Sequence, residues 1–226
     1  MQSVHLYPMY ITWLGHSCFK IEDKVAGNDV SIIMDPYNKD IGFKLPRSRA
    51  DIVTVSHNHP GHNNSEEILG NGEKPPMIID RSGEYEVKGV FVTGVGSYHD
   101  KEEGAKYGKS TMFKVEINGV IIAHLGDLGT KLSEQQLSKL DDIDILLIPV
   151  GGGETIGTAE AVEIVRELEP RIVIPMHYKT PDLKKELEKL DKFKKELGVK
   201  EETMPKLKIS KKELIEEDIK LIILEK

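Results

Sequence analysis

Apolar and polar residues alternate along most of this chain in short runs, which is the pattern of β-strands. Segments rich in Gly, Pro, Asn and Asp separate the runs and indicate turns and loops. Asn118-Gly119 stands between two alternating runs, and this pair is the strongest short signal of a β-hairpin. The strands that these patterns predict are residues 9–14, 18–21, 30–34, 51–55, 77–80, 84–87, 90–95, 111–117, 120–124, 144–150, 171–175, 207–209 and 219–224.

Helical patterns are strongest in the second half of the chain. Ser133 and Gln136 form a capping box, which predicts a short helix after Ser133. Residues 158–168 place apolar side chains at helical spacing, and residues 182–197, rich in Lys and Glu, follow a helical pattern with a solvated face. In the first half, residues 65–67 predict a shorter helix. The sequence therefore predicts strand-rich halves with helices late in each.

The composition is that of a globular protein with a sizeable core. The chain has 226 residues, which suits one large domain, so a single domain over residues 1–226 is expected. Hydrophobic residues make up 38% and charged residues 31%, so a well-solvated surface is expected as well. The net charge of −7 argues against a duplex nucleic-acid binder held by phosphate contacts.

Cysteine usage and the absence of targeting signals predict a cytoplasmic protein. Cys18 is the single cysteine, which excludes an intrachain disulfide and fits a reducing compartment. Residues 1–14 lack the basic and then apolar order of a signal peptide. No apolar run reaches the length of a membrane span, so no membrane partner is expected.

Three histidines, His57, His59 and His62, follow the predicted strand 51–55 directly. In extended backbone, residues two apart project the same way, so His57 and His59 can face one point. Pro60-Gly61 then turns the chain and brings His62 to that side. Imidazole is the commonest neutral metal ligand. The alternative is a polar loop that happens to be rich in histidine, but a packed core has no use for three imidazoles at one strand end.

Further polar residues fall at the ends of other predicted strands. His99, Asp127 and His177 each come at or just after such an end, and strands often gather functional groups at one edge of a sheet. This set of N and O donors suits Zn²⁺ first, and Mn²⁺ and Fe²⁺ are also compatible. His16 and Asp35 also lie at strand ends, where each could orient a ligand or only form a turn.

These segments together resemble the metallo-β-lactamase superfamily, whose signature is His-x-His-x-Asp-His followed by a distant His, Asp and His. The resemblance extends to the branch of small Zn-dependent hydrolases related to ascorbate-6-phosphate lactonase. It implies an α/β fold, a four-layer αββα sandwich with the metals at one edge between the sheets. The segments that carry it are residues 12–16, 35–36, 56–63, 97–100, 124–129 and 175–179.

The resemblance also implies roles for individual residues. It implies two metal ions held by six side chains, which are His57, His59 and His99 for the first, His62 and His177 for the second, and Asp127 between them. Asp127, His62 and His177 would then be catalytic, around a zinc-activated hydroxide that attacks an ester, lactone or phosphoester. Asp35 and His16 would support the ligands from behind.

One position departs from the family signature, because this chain has Gly61 where the signature has Asp. The change removes a ligand and a negative charge from the second site, and two dications about 3.5–4 Å apart repel each other strongly. The sequence therefore predicts Zn²⁺ as the cofactor, with one tight site and a second that is weak or empty.

Three functions follow from these residues. The first is a metal-dependent hydrolase of a small-molecule substrate. The second is a metal-binding protein of the same fold with weak or no catalysis, because Gly61 replaces the acid. The third, a ribonuclease of the same fold, is disfavoured by the acidic balance and by the lack of a basic RNA-clamping insertion. Tyr178 and Lys179 could contact an anionic group of the substrate or be plain loop residues. The sequence leaves the substrate and the oligomeric state open.

Overall fold

A computed structural model describes residues 7–215 and 218–226 of the chain. Residues 1–6, part of the segment considered above for a signal peptide, lie outside these ranges. The strands in the described residues are β1 (Met9–Gly15), β2 (Cys18–Val25), β3 (Asn28–Met34), β4 (Arg49–Ala50), β5 (Ile52–Thr54), β6 (Leu69–Gly70), β7 (Met77–Ile79), β8 (Gly83–Val87), β9 (Val90–Tyr98), β10 (Lys109–Ile117), β11 (Val120–His124), β12 (Ile145–Pro149), β13 (Ile172–Met176), β14 (Glu201–Met204), β15 (Leu207–Ile209) and β16 (Lys220–Leu224). The α-helices are α1 (Glu134–Lys139), α2 (Thr158–Leu168) and α3 (Leu190–Leu197). The short 3₁₀ helices are Lys39–Ile41, Ser65–Glu67 and Lys211–Leu214.

The strands form two large mixed sheets and one small ladder. The six-stranded sheet has the order β15-β1-β2-β3-β5-β7, and the eight-stranded sheet has the order β14-β16-β13-β12-β11-β10-β9-β8. Strands β4 and β6 pair separately. In both large sheets, antiparallel hairpins lead into parallel pairs, such as β3 with β5 and β11 with β12. The ends of these strands can therefore bring several loops to one edge.

The two large sheets pack face to face. One buried cluster contains residues of both sheets, among them Ile32 of β3 and Phe113 of β10. The next residue of β3, Ile33, belongs to a second cluster, because successive strand residues point to opposite faces. On that outer face, Tyr37 and Leu45 from the segment after β3 cover the six-stranded sheet. The predicted sandwich is present, and this outer layer is built from loops and 3₁₀ turns.

The helical layer covers the eight-stranded sheet. Helix α2 packs against β12, and α3 packs against α2. Every residue of β12 is buried, as expected for a strand covered on both faces. None of the helices in the described residues is long and apolar enough to cross a membrane.

The predicted helix over residues 182–197 is wrong in its first half, because only α3 is helical there. The backbone N–H of Lys184 donates to the carbonyl of Ile41 at 3.0 Å, and that of Glu188 donates to Gly151 at 2.8 Å. These donors bond distant loops, so they are not available for helical hydrogen bonds. Strand β14 was not predicted, because it is rich in Glu and partly exposed.

Candidate metal centre

The polar residues predicted at strand ends lie together at one edge of the sandwich. The six-stranded sheet supplies the residues that follow β1, β3 and β5, and the eight-stranded sheet supplies those that follow β9, β11 and β13. Those residues are His16, Asp35, His57, His59 and His62 from the first sheet and His99, Asp127 and His177 from the second. The site therefore spans the seam between the sheets.

Three of these residues adopt a backbone conformation that residues other than glycine rarely take. The φ angles of His16, Asp35 and His177 are 55°, 46° and 51°. Such left-handed residues cost roughly 1 kcal/mol or more each and tend to occur at functional sites. Backbone hydrogen bonds hold them, since the N–H of His177 donates to the carbonyl of His16 at 3.2 Å and that of Asp35 donates to Thr54 at 2.9 Å. The strain is thus built in at the strand ends that form the site.

The Asp127 carboxylate is the centre of the cluster. Its Oδ2 lies 3.1 Å from Nε2 of His62, 3.2 Å from Nε2 of His99 and 3.5 Å from Nε2 of His177. Nε2 of His57 is 3.9 Å from the same oxygen. Four imidazoles from both sheets therefore point the same ring nitrogen at one buried carboxylate oxygen.

Several buried polar atoms of this cluster lie close to one another but without the geometry of a hydrogen bond. These atoms are Nδ1 of His16, Nε2 of His57, Nε2 of His62, both carboxylate oxygens of Asp127, and both ring nitrogens of His177. Burying so many polar atoms without partners is costly, and native structures almost always satisfy them. Neutral imidazoles and a carboxylate are the donors that Zn²⁺ and similar cations bind, so these residues fit a metal ion.

The donors form three overlapping groups, in each of which the ligand atoms lie within 4.8 Å of one another. Two groups consist of predicted ligands only, and they are His57, His99 and Asp127, and His57, His59 and His62. The third group is His16, His62 and His177. The structure thus brings all six predicted ligands into these groups. It also places His16, expected behind the ligands, among the possible donors.

Asp35 lies behind two of the imidazoles. Its Oδ2 is 2.9 Å from Nδ1 of His62 and accepts a hydrogen bond from Oγ of Ser56 at 2.6 Å, while its Oδ1 accepts from N of Ser56 at 2.7 Å. The Ser56 hydroxyl is in turn 3.0 Å from Nδ1 of His57. Asp35 therefore orients His62 directly and His57 through Ser56, a residue to which no sequence pattern assigned a role.

His99 is oriented by the chain between β12 and α2. Its Nδ1 is 3.2 Å from the carbonyl oxygen of Glu154, which leaves Nε2 facing Asp127. The Glu154 side chain forms an ion pair with Lys185. Neither residue carried a sequence signal, because the contact joins loops that are far apart along the chain.

The ionisable groups of the cluster shift one another's pKa values. Burial alone would lower the pKa of His62, but the carboxylates of Asp127 and Asp35 raise it to about 10. Burial lowers the pKa of His57 to about 3, and the neighbouring His62 contributes to this. Burial would raise the pKa of Asp127, yet the surrounding His177 and His62 hold it well below its usual value. Asp127 is therefore ionised at neutral pH and His57 is neutral, the states that metal ligands require. His62 holds a proton in the metal-free cluster, and a metal ion that binds its Nε2 would have to displace that proton.

His124 is buried nearby but serves the fold. Its Nε2 lies 2.8 Å from the carbonyl oxygen of Ser17, and its Nδ1 accepts from the N–H of Gly126 at 3.1 Å. Both ring nitrogens are therefore used by backbone groups, and the residue ties the loop after β11 to the turn between β1 and β2.

The two residues that could contact an anionic group, Tyr178 and Lys179, already have other partners. The ammonium of Lys179 donates to the carbonyls of Leu183 and Lys185, both at 3.1 Å, and to Glu186 at 2.9 Å. Tyr178 is 8% exposed, and its ring stacks on Trp13 at a centroid distance of 5.4 Å. Of the two alternatives, these contacts favour a structural role for both residues, because the loop and the core already engage the side chains.

Comparison with known proteins supports the same fold. A family model described as the beta-lactamase superfamily domain matches residues 10–177. A UPF0173 metal-dependent hydrolase of Archaeoglobus fulgidus is 29% identical over 219 residues, which span 84% of this chain and 93% of the relative. The corresponding protein of Methanoculleus marisnigri is 31% identical over 200 residues, with 80% of this chain and 86% of the relative covered.

Solved structures give the same result. A candidate Zn-dependent hydrolase of the metallo-β-lactamase superfamily from Thermotoga maritima is 35% identical, with a TM-score of 0.74, and the match covers 96% of this chain and 100% of that chain. Igni18, a metallo hydrolase from Ignicoccus hospitalis, is 21% identical with a TM-score of 0.62, which shows the shared fold. The predicted fold is therefore confirmed, and the chain belongs to the metallo-β-lactamase superfamily.

Proposed function

We propose that this protein is a metal-dependent hydrolase whose active site is the cluster around Asp127. The observation that carries the proposal is the convergence of four Nε2 atoms on one buried carboxylate oxygen, with unpartnered polar atoms on both sides of the sheet seam. The names of the relatives from Archaeoglobus fulgidus and Methanoculleus marisnigri, both metal-dependent hydrolases, support the same activity for this chain.

The ligands would be His57, His59 and His99 for one metal ion and His62 and His177 for another, with Asp127 shared between them. Such a cation supplies Lewis-acid polarisation of the substrate and activation of water near neutral pH. The chain itself holds the ligands in place. Asp35 fixes the His62 ring, the Glu154 carbonyl fixes the His99 ring, and Ser56 links Asp35 to His57. Supporting groups of this kind set ligand orientation and basicity.

Zinc is the metal that the donor set favours, because borderline cations prefer imidazole and carboxylate together. The Thermotoga maritima structure, described as that of a candidate Zn-dependent hydrolase, points to the same metal. An ester, lactone or phosphoester is the substrate class that this chemistry would attack. The relation to ascorbate-6-phosphate lactonase stays a prediction from the sequence.

The position of Lys185, rather than that of Lys179, is the observation that supports an anionic substrate. Burial is the main cause that lowers the pKa values of His16, His59 and His177, and the nearby positive charge of Lys185 adds a smaller effect in each. Lys185 is partly exposed and paired with Glu154 beside His99. A carboxylate or phosphate on the substrate could take the place of Glu154 as its partner.

A metal-binding protein with little catalysis is the second candidate, because Gly61 brings no ligand to the site. The two functions are separated by assaying the purified protein on lactone, carboxylic ester and phosphodiester substrates, with and without a chelator. We expect chelator-sensitive hydrolysis that returns with Zn²⁺ and disappears in Asp127→Asn. Asp29→Asn, at an 89% exposed side chain, is the matched control and should stay active.

Metal content should be measured on the same samples, so that activity can be compared with the amount of metal bound. Hydrolysis that survives both the chelator and Asp127→Asn would refute the proposal. A folded protein that binds zinc tightly and turns over none of the three substrate classes would favour the binding function instead.

A further inference from the structure

We propose that His16 is a ligand of the second metal ion and takes the position that Gly61 leaves without a side chain. The inference rests on the proposed metal centre and assigns one more of its ligands. His16 forms a donor group with His62 and His177, and all three side chains are buried. None of the sequence patterns distinguished this role from that of a turn histidine.

The space beside Gly61 gives the first independent support. A Cβ atom added to Gly61 would lie 3.3 Å from Nε2 of His16 and 3.5 Å from Cδ2 of the same ring. It would also lie 3.3 Å from Nδ1 of His59. The imidazole of His16 therefore occupies the region into which a side chain at position 61 would point. The backbone of Gly61 is not in the left-handed region, so its conformation does not demand glycine. The glycine makes room for the ring.

The surroundings of His16 give the second support. Its ring centroid is 4.4 Å from that of His177 and 5.1 Å from that of His62. Its carbonyl oxygen accepts from Nε1 of Trp13 at 2.9 Å and from the N–H of His177, so the strained backbone is fixed from two sides. The backbone of His16 is therefore fixed, with its ring beside the other two donors, before any metal ion binds.

A comparison with His124 shows why this ring is not an ordinary core histidine. Both nitrogens of His124 bond backbone groups of Ser17 and Gly126. His16 is also buried, at 3% exposure, but its Nδ1 has no partner. A buried imidazole with an unpartnered nitrogen is unfavourable unless something binds it. Metal coordination beside His62 and His177 would satisfy it.

The proposal changes the expected chemistry of the second site. With His16, the site has three imidazoles and a share of the Asp127 carboxylate, which is a donor number that zinc sites use. An aspartate at position 61 would have added an oxygen and a negative charge. Without them, the site should prefer Zn²⁺ and Co²⁺ to Mn²⁺, which favours oxygen ligands. It should also be occupied more firmly than the sequence alone predicts.

The test is metal binding to the metal-free protein, measured as zinc stoichiometry and as the absorption spectrum during Co²⁺ titration. The wild type should hold two equivalents. His16→Ala should still bind the first equivalent, but its affinity for the second should fall by more than about 100-fold. Loss of a group that only supports a ligand costs less than this. His16→Gln serves the same purpose if the alanine variant does not fold. His124→Gln, at the histidine with satisfied nitrogens, should keep both equivalents.

A double variant makes the test specific for position 61. In His16→Ala/Gly61→Asp the space left by the ring accepts the new carboxylate, so the second equivalent should return with a changed Co²⁺ spectrum. Two equivalents of unchanged affinity and spectrum in folded His16→Ala would overturn this inference and leave the metal centre intact. A folded wild type that binds no metal would instead remove the proposed function itself.

Discussion

At the residue scale, the buried carboxylate of Asp35 orients two of the proposed metal ligands, His57 and His62. It is fully buried, and burial alone would raise its pKa, but the bonds to His62 and Ser56 and the nearby His124 lower it instead. The charge is thus retained inside the protein and used to aim two imidazoles. Its left-handed backbone, just after β3, places the carboxylate between Ser56 and His62.

Replacing Asp35 by Asn should weaken metal binding by roughly 10–100-fold, the usual cost of losing a group that orients ligands. The amide keeps one acceptor but turns an N–H₂ group toward either Ser56 or His62, both of which need an acceptor. Chelator competition on folded protein would measure the loss, with Asp29→Asn as control. Affinity within about twofold of the wild type would contradict this account.

Asp51 makes a testable contribution to stability away from the metal site. Its carboxylate accepts from Lys88 at 2.6 Å, from Asn71 at 2.6 Å and from N of Ser31 at 2.9 Å. Burial would raise its pKa, but these donors lower it below the usual value. A carboxyl group whose pKa is lower in the folded state stabilises the protein above its unfolded pKa of about 3.9, and the gain is lost as the pH falls through the folded value.

Asp51→Asn should therefore lower the unfolding free energy at pH 7 by about 1.5–3 kcal/mol, the range for hydrogen bonds to a charged group. The difference from the wild type should begin to shrink below about pH 4, where the unfolded chain takes up the proton first, and it should be lost once the folded carboxyl is protonated as well. Urea unfolding at a series of pH values measures both effects. A difference that is the same at pH 7 and at low pH would show that the charge is not responsible.

At the scale of elements, the loop between β9 and β10 is organised by one side chain. The Asp100 carboxylate accepts backbone hydrogen bonds from Glu102, Gly104, Lys106 and Tyr107, at 2.7 to 3.0 Å. These bonds lower the pKa of Asp100 although its burial would raise it. The loop is thereby fixed next to His99, one of the proposed ligands.

Asp100→Ala should release this loop without unfolding the sheets. We expect the amides of residues 102–107 to exchange hydrogen faster, while those of β10 keep their protection. Hydrogen exchange followed by mass spectrometry would resolve the two segments, and Glu103→Ala, at an exposed neighbour, is the control. Unchanged exchange in the loop would show that other contacts hold it.

The sequence predicted elements better than it predicted contacts between loops. The strands were predictable because their side chains alternate between a core and an outer face, and Asn118-Gly119 forms the predicted hairpin turn with φ angles of 52° and 76°. The prediction failed for the first half of the helix over 182–197, because the backbone N–H groups there donate hydrogen bonds to distant loops. The positions of His16 and Ser56 in the site depend on contacts with residues far along the chain. The periodicity of a sequence does not reveal such contacts.

On the scale of the whole molecule, the proposed ligands join the two sheets. His57 and His62 follow β5 of the six-stranded sheet, whereas Asp127 and His177 follow strands of the eight-stranded sheet. A bound cation would therefore link both halves of the sandwich, and it would bind the folded chain far better than the unfolded one. Metal binding and global stability are thus coupled.

Removal of metal should lower the melting temperature of the whole protein in one step. At a free zinc concentration about 100 times the dissociation constant, one site adds about 2.7 kcal/mol, or roughly 5–10 °C for a chain of this size. Calorimetry and far-UV circular dichroism should report a single coincident transition if residues 1–226 form one domain, as expected from the length. Two separate transitions would contradict that expectation.

The position of Trp13 gives the chain an intrinsic optical reporter. Its indole N–H bonds the carbonyl of His16, and its ring stacks on Tyr178, the residue after His177. Trp13 is the only tryptophan in the sequence, so its fluorescence comes from one place, next to the donor group of His16, His62 and His177. Emission should therefore change when the second equivalent of metal binds and stay nearly constant during the first, which would let occupancy be followed without any added dye.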